Sequence, residues 1–216
     1  MIEDCCQSLN VKYNNQHCGT FGNTAAFSFF ADKAITTAEG GMVVTNNEKI
    51  YNKLRYLRNQ GRLNRSTFVH PEIGYNFRMT DIQSSIGLVQ LQKSDYIFNK
   101  RRENYNLYCK LLKNVSEVQI LKPTEGTTNF IPFRCVIFVK DDQQDLSDYL
   151  KDRGIEARTL FYPLHNQPCF KYFNLDNVNF KNSIYAYNRG MCLPVYPQLT
   201  EEQIKYVCDT IKEYYR

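Results

Sequence analysis

Apolar positions in this chain follow two alternating periods, and the switch between them marks out its elements. Residues 42–46, MVVTN, form a short apolar run that predicts a buried strand. Asn46 or Asn47 then opens a helix carrying Ile50, Leu54 and Leu57 at helical spacing, and Gly61 ends it. The polar, basic stretch from Gly61 to Arg65 reads as a surface loop. At Thr80 the pattern T-D-I-Q predicts a capping box with Gln83, ahead of a helix lined on one face by Ile82, Ile86 and Val89. A further helix over Asp95 to Leu112 carries Ile97, Tyr105, Tyr108 and Leu112, and its Lys100-Arg101-Arg102 cluster is expected on a solvated face.

The character changes near Pro123. FIPFRCVIFV (130–139) predicts a strong strand, LSDYLKDRG a helix that ends at Gly154, and IEART a second strand. A second capping box, Thr200 with Gln203, opens a last helix through Ile204, Val207 and Ile211. Strands and helices alternate throughout, which predicts an α/β fold with a smaller two-layer domain from about residue 95. No internal repeat is present.

Composition narrows the class. With 43% hydrophobic and 23% charged residues in 216, the chain reads as an ordinary globular protein. No apolar run approaches the roughly 20 residues of a membrane span, and no secretory signal is recognisable, so a cytoplasmic location and no membrane partner are expected. The formal charge of +5 suits an anionic substrate and is too diffuse to indicate nucleic acid. Eight cysteines show no C-x-x-C pair, so reduced thiols are expected and no metal site is assigned. Cys5, Cys6, His17 and Cys18 cluster in sequence, but neighbours along a strand point to opposite faces and do not share one ion easily.

The candidate chemistry lies near the N-terminus. Ile2-Glu3-Asp4-Cys5-Cys6-Gln7 places an acid and an amide three residues apart where a strand should end, and open α/β sheets bind ligands at such ends. In Phe27-Ser28-Phe29-Phe30, strand alternation turns the Ser28 hydroxyl away from its flanking rings, where it could donate to a phosphate. Lys33 follows directly, ahead of Glu39-Gly40-Gly41; a lysine held still and partly stripped of water can act as the free amine of Schiff-base chemistry.

The segments IEDCCQS, FGNTAAFSFFADKAITTAEGGMVVTN and GYNFRMTDIQSSIGLVQLQ resemble the DegT/DnrJ/EryC1/StrS family of PLP-dependent sugar aminotransferases, and the second is most similar to the family's perosamine-forming members. The resemblance implies the fold-type I PLP-dependent aminotransferase architecture. Residues 1–94 would be the C-terminal portion of the PLP-binding large domain and 95–216 the small C-terminal domain. It also implies that Lys33 holds the cofactor covalently, that Asp4 faces the pyridinium nitrogen, that Gln7 lies near the ring, and that Ser28 holds the phosphate. Asn76 would reach the phosphate across a homodimer interface, with Arg78 nearby. The segment from Arg158 to His165 would shape the sugar-nucleotide pocket through Tyr162 and His165, although a packed tyrosine and a hydrogen-bonded histidine at a strand end explain it equally. Ala38 stands where relatives usually carry glycine, which restricts the turn.

The activity implied is transfer of an amino group, from glutamate, to a nucleotide-linked 4-keto-6-deoxy sugar through PLP and PMP. A second reading is a non-catalytic remnant or split subunit that needs an upstream partner fragment. Only Met1, Ile2 and Glu3 precede Asp4, fewer than a strand of about 5–6 residues requires, and family members continue upstream. A related sugar dehydratase is disfavoured, because those relatives replace the lysine with histidine and Lys33 is present.

Overall fold

The computed structural model describes residues 1–62, 64, 66–175 and 178–216. The chain divides into two compact units, one of residues 1–98 and 124–133, the other of 99–123 and 134–216.

The first unit is built on a three-stranded sheet. Its middle strand β4 (Thr24–Ser28) pairs in parallel with β1 (Ile2–Asp4) and antiparallel with β5 (Gly41–Val44), in register Asp4 opposite Ala26 and Ser28 opposite Gly41. A second small sheet joins β2 (Lys12–Tyr13) to β3 (Gln16–His17) and to β7 (Thr127–Asn129). Ile35, Ile97, Phe98 and Ile131 form a core cluster, with Leu9, Val11 and Phe29 packed against it.

Of MVVTN only residues 42–44 lie in the strand, and the expectation that it is buried fails: Met42 and Val43 are 53% and 48% exposed. β5 pairs with β4 on one side only, so the apolar run marks a strand without saying what covers it. Helix α1 (Glu48–Arg58) is capped by Asn47, whose side chain accepts from the N–H groups of Lys49 and Ile50. Past its end, Gln60 and Gly61 both take left-handed backbone. Of the expected Gly61–Arg65 loop, Leu63 and Arg65 lie outside the described residues. Helix α2 (Asp81–Gln92) has the expected Thr80–Gln83 capping box, yet its apolar face is open, with Ile82 76%, Ile86 41% and Val89 48% exposed.

Helix α3 (Ser94–Leu111) gives its first turn to this unit and the rest to the second. The solvated-face expectation for Lys100-Arg101-Arg102 is corrected at Arg101, which is 6% exposed. Position 101 is four residues from both Ile97 and Tyr105, so it falls in the buried stripe of the helix.

The second unit holds an antiparallel sheet in the order β6 (Val118–Ile120), β8 (Cys135–Val139), β10 (Gly190–Leu193), β9 (Arg158–Thr159). The expected strand over 130–139 starts only at Cys135; Pro132 has no N–H to give a ladder. Likewise IEART contributes only the two residues of β9. Helices α4 (Gln143–Lys151), α5 (Lys181–Arg189) and α6 (Glu201–Tyr214) complete the layer. Ile137, Leu146, Leu150, Ile204 and Ile211 are fully buried, each worth about 1.5–3 kcal/mol of transfer free energy. The Thr200–Gln203 capping box is present at the start of α6. Among the described residues no helix is long and apolar enough to cross a membrane.

Candidate active site

The parallel pairing of β1 with β4 ends both strands at one edge, and the edge carries the candidate chemistry. Asp4 is the last residue of β1 and Ser28 the last of β4. Asp4 is exposed, and its Oδ1 accepts the Cys6 backbone N–H at 3.0 Å. Hydrogen bonding from the Cys6 side chain and then from its backbone holds the Asp4 carboxyl below its ordinary value, against a smaller opposing effect of burial, and the Lys33 charge adds to the lowering. Asp4 therefore stays ionised, beside a lysine close enough to be felt.

Lys33 is half-buried in the turn after β4, with its backbone N–H donating to Phe30 O at 3.1 Å. Its Nζ lies 4.6 Å from the centre of the Phe133 ring, an arrangement worth about 0.5–1 kcal/mol that restricts the long side chain. Ser28 Oγ accepts from the Phe30 N–H at 3.3 Å, which fixes the hydroxyl and leaves its proton available for donation. Gln7 is exposed in the turn that follows β1, where Ser8 N–H donates to Cys5 O at 3.1 Å. The turn downstream of Lys33 contains Ala38 at φ 65°, a left-handed conformation that costs a non-glycine residue roughly 1 kcal/mol or more; Thr36 Oγ1 supports it by accepting the Ala38 N–H at 2.9 Å.

An ionised carboxylate, a primary amine and a fixed hydroxyl at one sheet edge match the needs of a pyridine ring bearing an aldehyde and a phosphate. The residues present fit that group. Asn76 and Arg78 lie on a separate segment beside the end of α1: Asn76 bridges to Asn59, and Arg78 Nη1 donates to Asn59 Oδ1 at 3.4 Å. Both are exposed, and these contacts run to Asn59 at the end of α1 rather than to Asp4 or Lys33. In the second unit, His165 is 8% exposed and stacks on Phe180 with ring centres 4.4 Å apart. Tyr162 meets Tyr187 edge to face at 5.1 Å.

Sequence reasoning passed over Glu3, Cys6 and Phe133. Glu3 accepts three backbone N–H groups, from Gly19 and Phe21 at 2.7 Å and from Gly22 at 2.6 Å, and so ties the loop before β4 to the strand that carries Asp4. Burial pushes its carboxyl up, but the three N–H groups outweigh that and leave it lowered. The available signal was an acid beside Asp4 followed by glycines at 19 and 22, the residues that let backbone approach closely.

A family model described as the DegT/DnrJ/EryC1/StrS aminotransferase family matches residues 1–212. The chain is 35% identical over 219 residues to a GDP-perosamine synthase of Escherichia coli O157:H7, covering 100% of this chain and 58% of that protein. A GDP-perosamine synthase of Vibrio cholerae is 34% identical, with 100% and 59% covered. The chain thus spans about 58% of the length of these relatives. Among solved structures, Helicobacter pylori PseC, an aminotransferase involved in the biosynthesis of pseudoaminic acid, superposes with a TM-score of 0.91 at 28% identity, covering 98% of this chain and 58% of that one. A Streptococcus pneumoniae protein described as a putative sugar aminotransferase, solved in PLP and PMP forms, shares the fold at a TM-score of 0.91 and 24% identity, covering 98% of this chain and 56% of that one.

Proposed function

The chain belongs to the DegT/DnrJ/EryC1/StrS aminotransferase family, and from that premise we propose that it takes part in PLP-dependent transfer of an amino group from glutamate to a nucleotide-linked 4-keto-6-deoxy sugar of the perosamine type. The observation that carries the reading is the parallel pairing of β1 with β4, with Asp4 closing β1, Ser28 closing β4 and Lys33 in the turn that follows. Bound PLP supplies an electron sink. Asp4, ionised, would keep a proton on the ring nitrogen. Lys33 Nζ would hold the cofactor covalently and, once released, carry protons as base and acid on one face of the substrate. Ser28 Oγ would donate to the phosphate, and Gln7 would border the ring.

Asn76 and Arg78 are read as serving the phosphate and the substrate from a second copy in a homodimer, and Tyr162 and His165 as shaping the sugar pocket. Residues 1–94 are assigned to the PLP-binding domain and 95–216 to the small domain. The open faces at Met42, Val43 and α2 favour further protein contacts, either with a second copy or with an upstream partner fragment. A cytoplasmic setting fits an activated sugar as substrate.

Purified chain mixed with PLP should develop a visible absorption band that borohydride makes permanent and that Lys33→Ala abolishes. A folded sample with no such band would overturn the proposal for this chain. Glutamate alone should then bleach the band, and GDP-4-keto-6-deoxymannose should restore it.

A further inference from the structure

Lys33 and Phe133 stand 100 positions apart in the sequence, and the first unit brings them together. Residues 124–133 return to that unit between two stretches of the second one, and Phe133 is the last residue of the return. The returning segment is pinned along its length. Thr127 and Asn129 of β7 pair with Tyr13 and Lys12 of β2. Asn129 Nδ2 donates to Asn10 O at 2.6 Å. Ile131, 3% exposed, joins the core cluster of Ile35, Ile97 and Phe98, against which Phe29 and Ala34 also pack. Residues 29, 34 and 35 bracket Lys33, so one apolar cluster fixes both the lysine's turn and the chain two positions before Phe133.

The half-buried Phe133 ring then meets the lysine at its reactive end, with Nζ 4.6 Å from the ring centre. A lysine stem is flexible and its head is a point charge, so an anchored turn alone leaves Nζ free to range over the sheet edge. The negative face of an aromatic ring attracts an ammonium without a hydrogen bond that must later break. Such an attraction weights the held position over the released ones by about two- to fivefold. A carboxylate in that place would clamp the amine more tightly and add a second negative charge near Asp4, and an aliphatic side chain would not hold it at all.

We propose that Phe133 is a positioning residue for Lys33, its ring face holding the free amine beside the end of β4 whenever Nζ is not engaged covalently. The contact stands on the geometry of the first unit; its use in catalysis rests on the aminotransferase reading above. A lysine that must leave a carbonyl carbon, carry protons and return needs a resting place within reach, because a wandering amine loses the advantage of being held near its partner.

The contact is tested first on the full chain without PLP, by treatment with formaldehyde and cyanoborohydride, with methylation of each lysine followed by peptide mass spectrometry. Phe133→Leu keeps an apolar side chain and removes the π face, so Lys33 should be methylated about two- to fivefold faster. Phe133→Tyr restores the face and should restore the slower reaction. Lys12, whose strand pairs with the same returning segment, reports on loosening and should react alike in all three chains. If Phe133→Leu does not fold, Phe133→Met carries the same expectation. Equal Lys33 rates in the parent and the leucine variant, a tyrosine variant as fast as the leucine one, or a rise shared by Lys12 each overturn the proposal. With PLP, the band that borohydride fixes should grow about two- to fivefold more slowly in Phe133→Leu than in the parent, and equal growth overturns the positioning role. In a Lys33→Ala background Phe133→Leu should leave the affinity for PLP unchanged. A loss there overturns the proposal by making Phe133 a wall of the cofactor site rather than a holder of the lysine. A parent chain with no band would sink the aminotransferase reading, while the methylation rates still decide whether the ring holds the amine.

Discussion

Replacing Gly74 by alanine should destabilise the fold, because Gly74 sits where two backbone segments touch. A Cβ built on Gly74 overlaps Gly61 N and comes within 2.5 Å of Gln60 C and 2.7 Å of Leu57 O. All three are main-chain atoms at the end of α1, so no side chain can swing aside to relieve the clash. The two segments are held by Tyr75 N–H to Leu57 O at 2.7 Å, Gln60 N–H to Tyr75 O at 2.9 Å and Phe77 N–H to Arg58 O at 3.2 Å. Overpacking of this kind costs about 1–3 kcal/mol, and losing one of the three hydrogen bonds would add about 1 kcal/mol. With a urea slope of roughly 1–3 kcal/mol per M, a loss of about 2 kcal/mol lowers the unfolding midpoint by about 1 M. Gly154→Ala is the control: its Cβ meets nothing within 4 Å, and only its φ of 73° is unfavourable. The midpoint should therefore fall further in Gly74→Ala than in Gly154→Ala. A Gly74→Ala chain with the parent's midpoint would refute the argument.

Thr200→Ala removes one half of the capping box on α6, where Thr200 Oγ1 accepts the Gln203 N–H at 3.2 Å; a loss of about 1 kcal/mol is expected by thermal denaturation, with α6 otherwise intact. Asp4 titrates with a folded pKa below its unfolded value of roughly 3.9, so its contribution to stability is fully present above that unfolded value and fades as pH falls through the lowered folded one. The Lys33-dependent PLP band of the parent chain should accordingly survive acidification into the ordinary carboxylate range. Asp4→Asn should weaken that band or shift its maximum at neutral pH, where an unaltered spectrum would count against the pairing of Asp4 with the ring nitrogen.

The features legible in the sequence are those whose chemistry is local. Both capping boxes follow from a threonine and a glutamine three residues on, and the stripe Ile97, Tyr105, Tyr108, Leu112 follows from helical spacing alone. The same stripe exposes a limit of residue type: Arg101 reads as solvated by its charge, yet its position on the helix buries it. β5 shows a different limit. Apolar residues specify that a strand forms there, while their burial depends on whatever lies against the sheet, which no local pattern encodes.

The candidate sites divide in the same way. Asp4, Ser28 and Lys33 could each be singled out by residue type and resemblance, but their meeting depends on β1 and β4 running parallel with Asp4 opposite Ala26, a long-range register. Glu3 was hidden for that reason: its partners, Gly19, Phe21 and Gly22, lie across a loop. The arginine cluster beside α1 is the most demanding case of residues brought together by the fold. Arg55, Arg58 and Arg62 follow one another at helical intervals and suggest no more than a basic surface, and Arg78 is sixteen positions further on. What joins them is the close approach of Gly61 and Gly74, which lets residues 57–60 hydrogen-bond to residues 75–77 and carries Arg78 back to the end of α1. Two residues without side chains thereby bring four charged ones together, and this is why substitution at Gly74, where any Cβ meets main-chain atoms, is expected to disturb the arrangement.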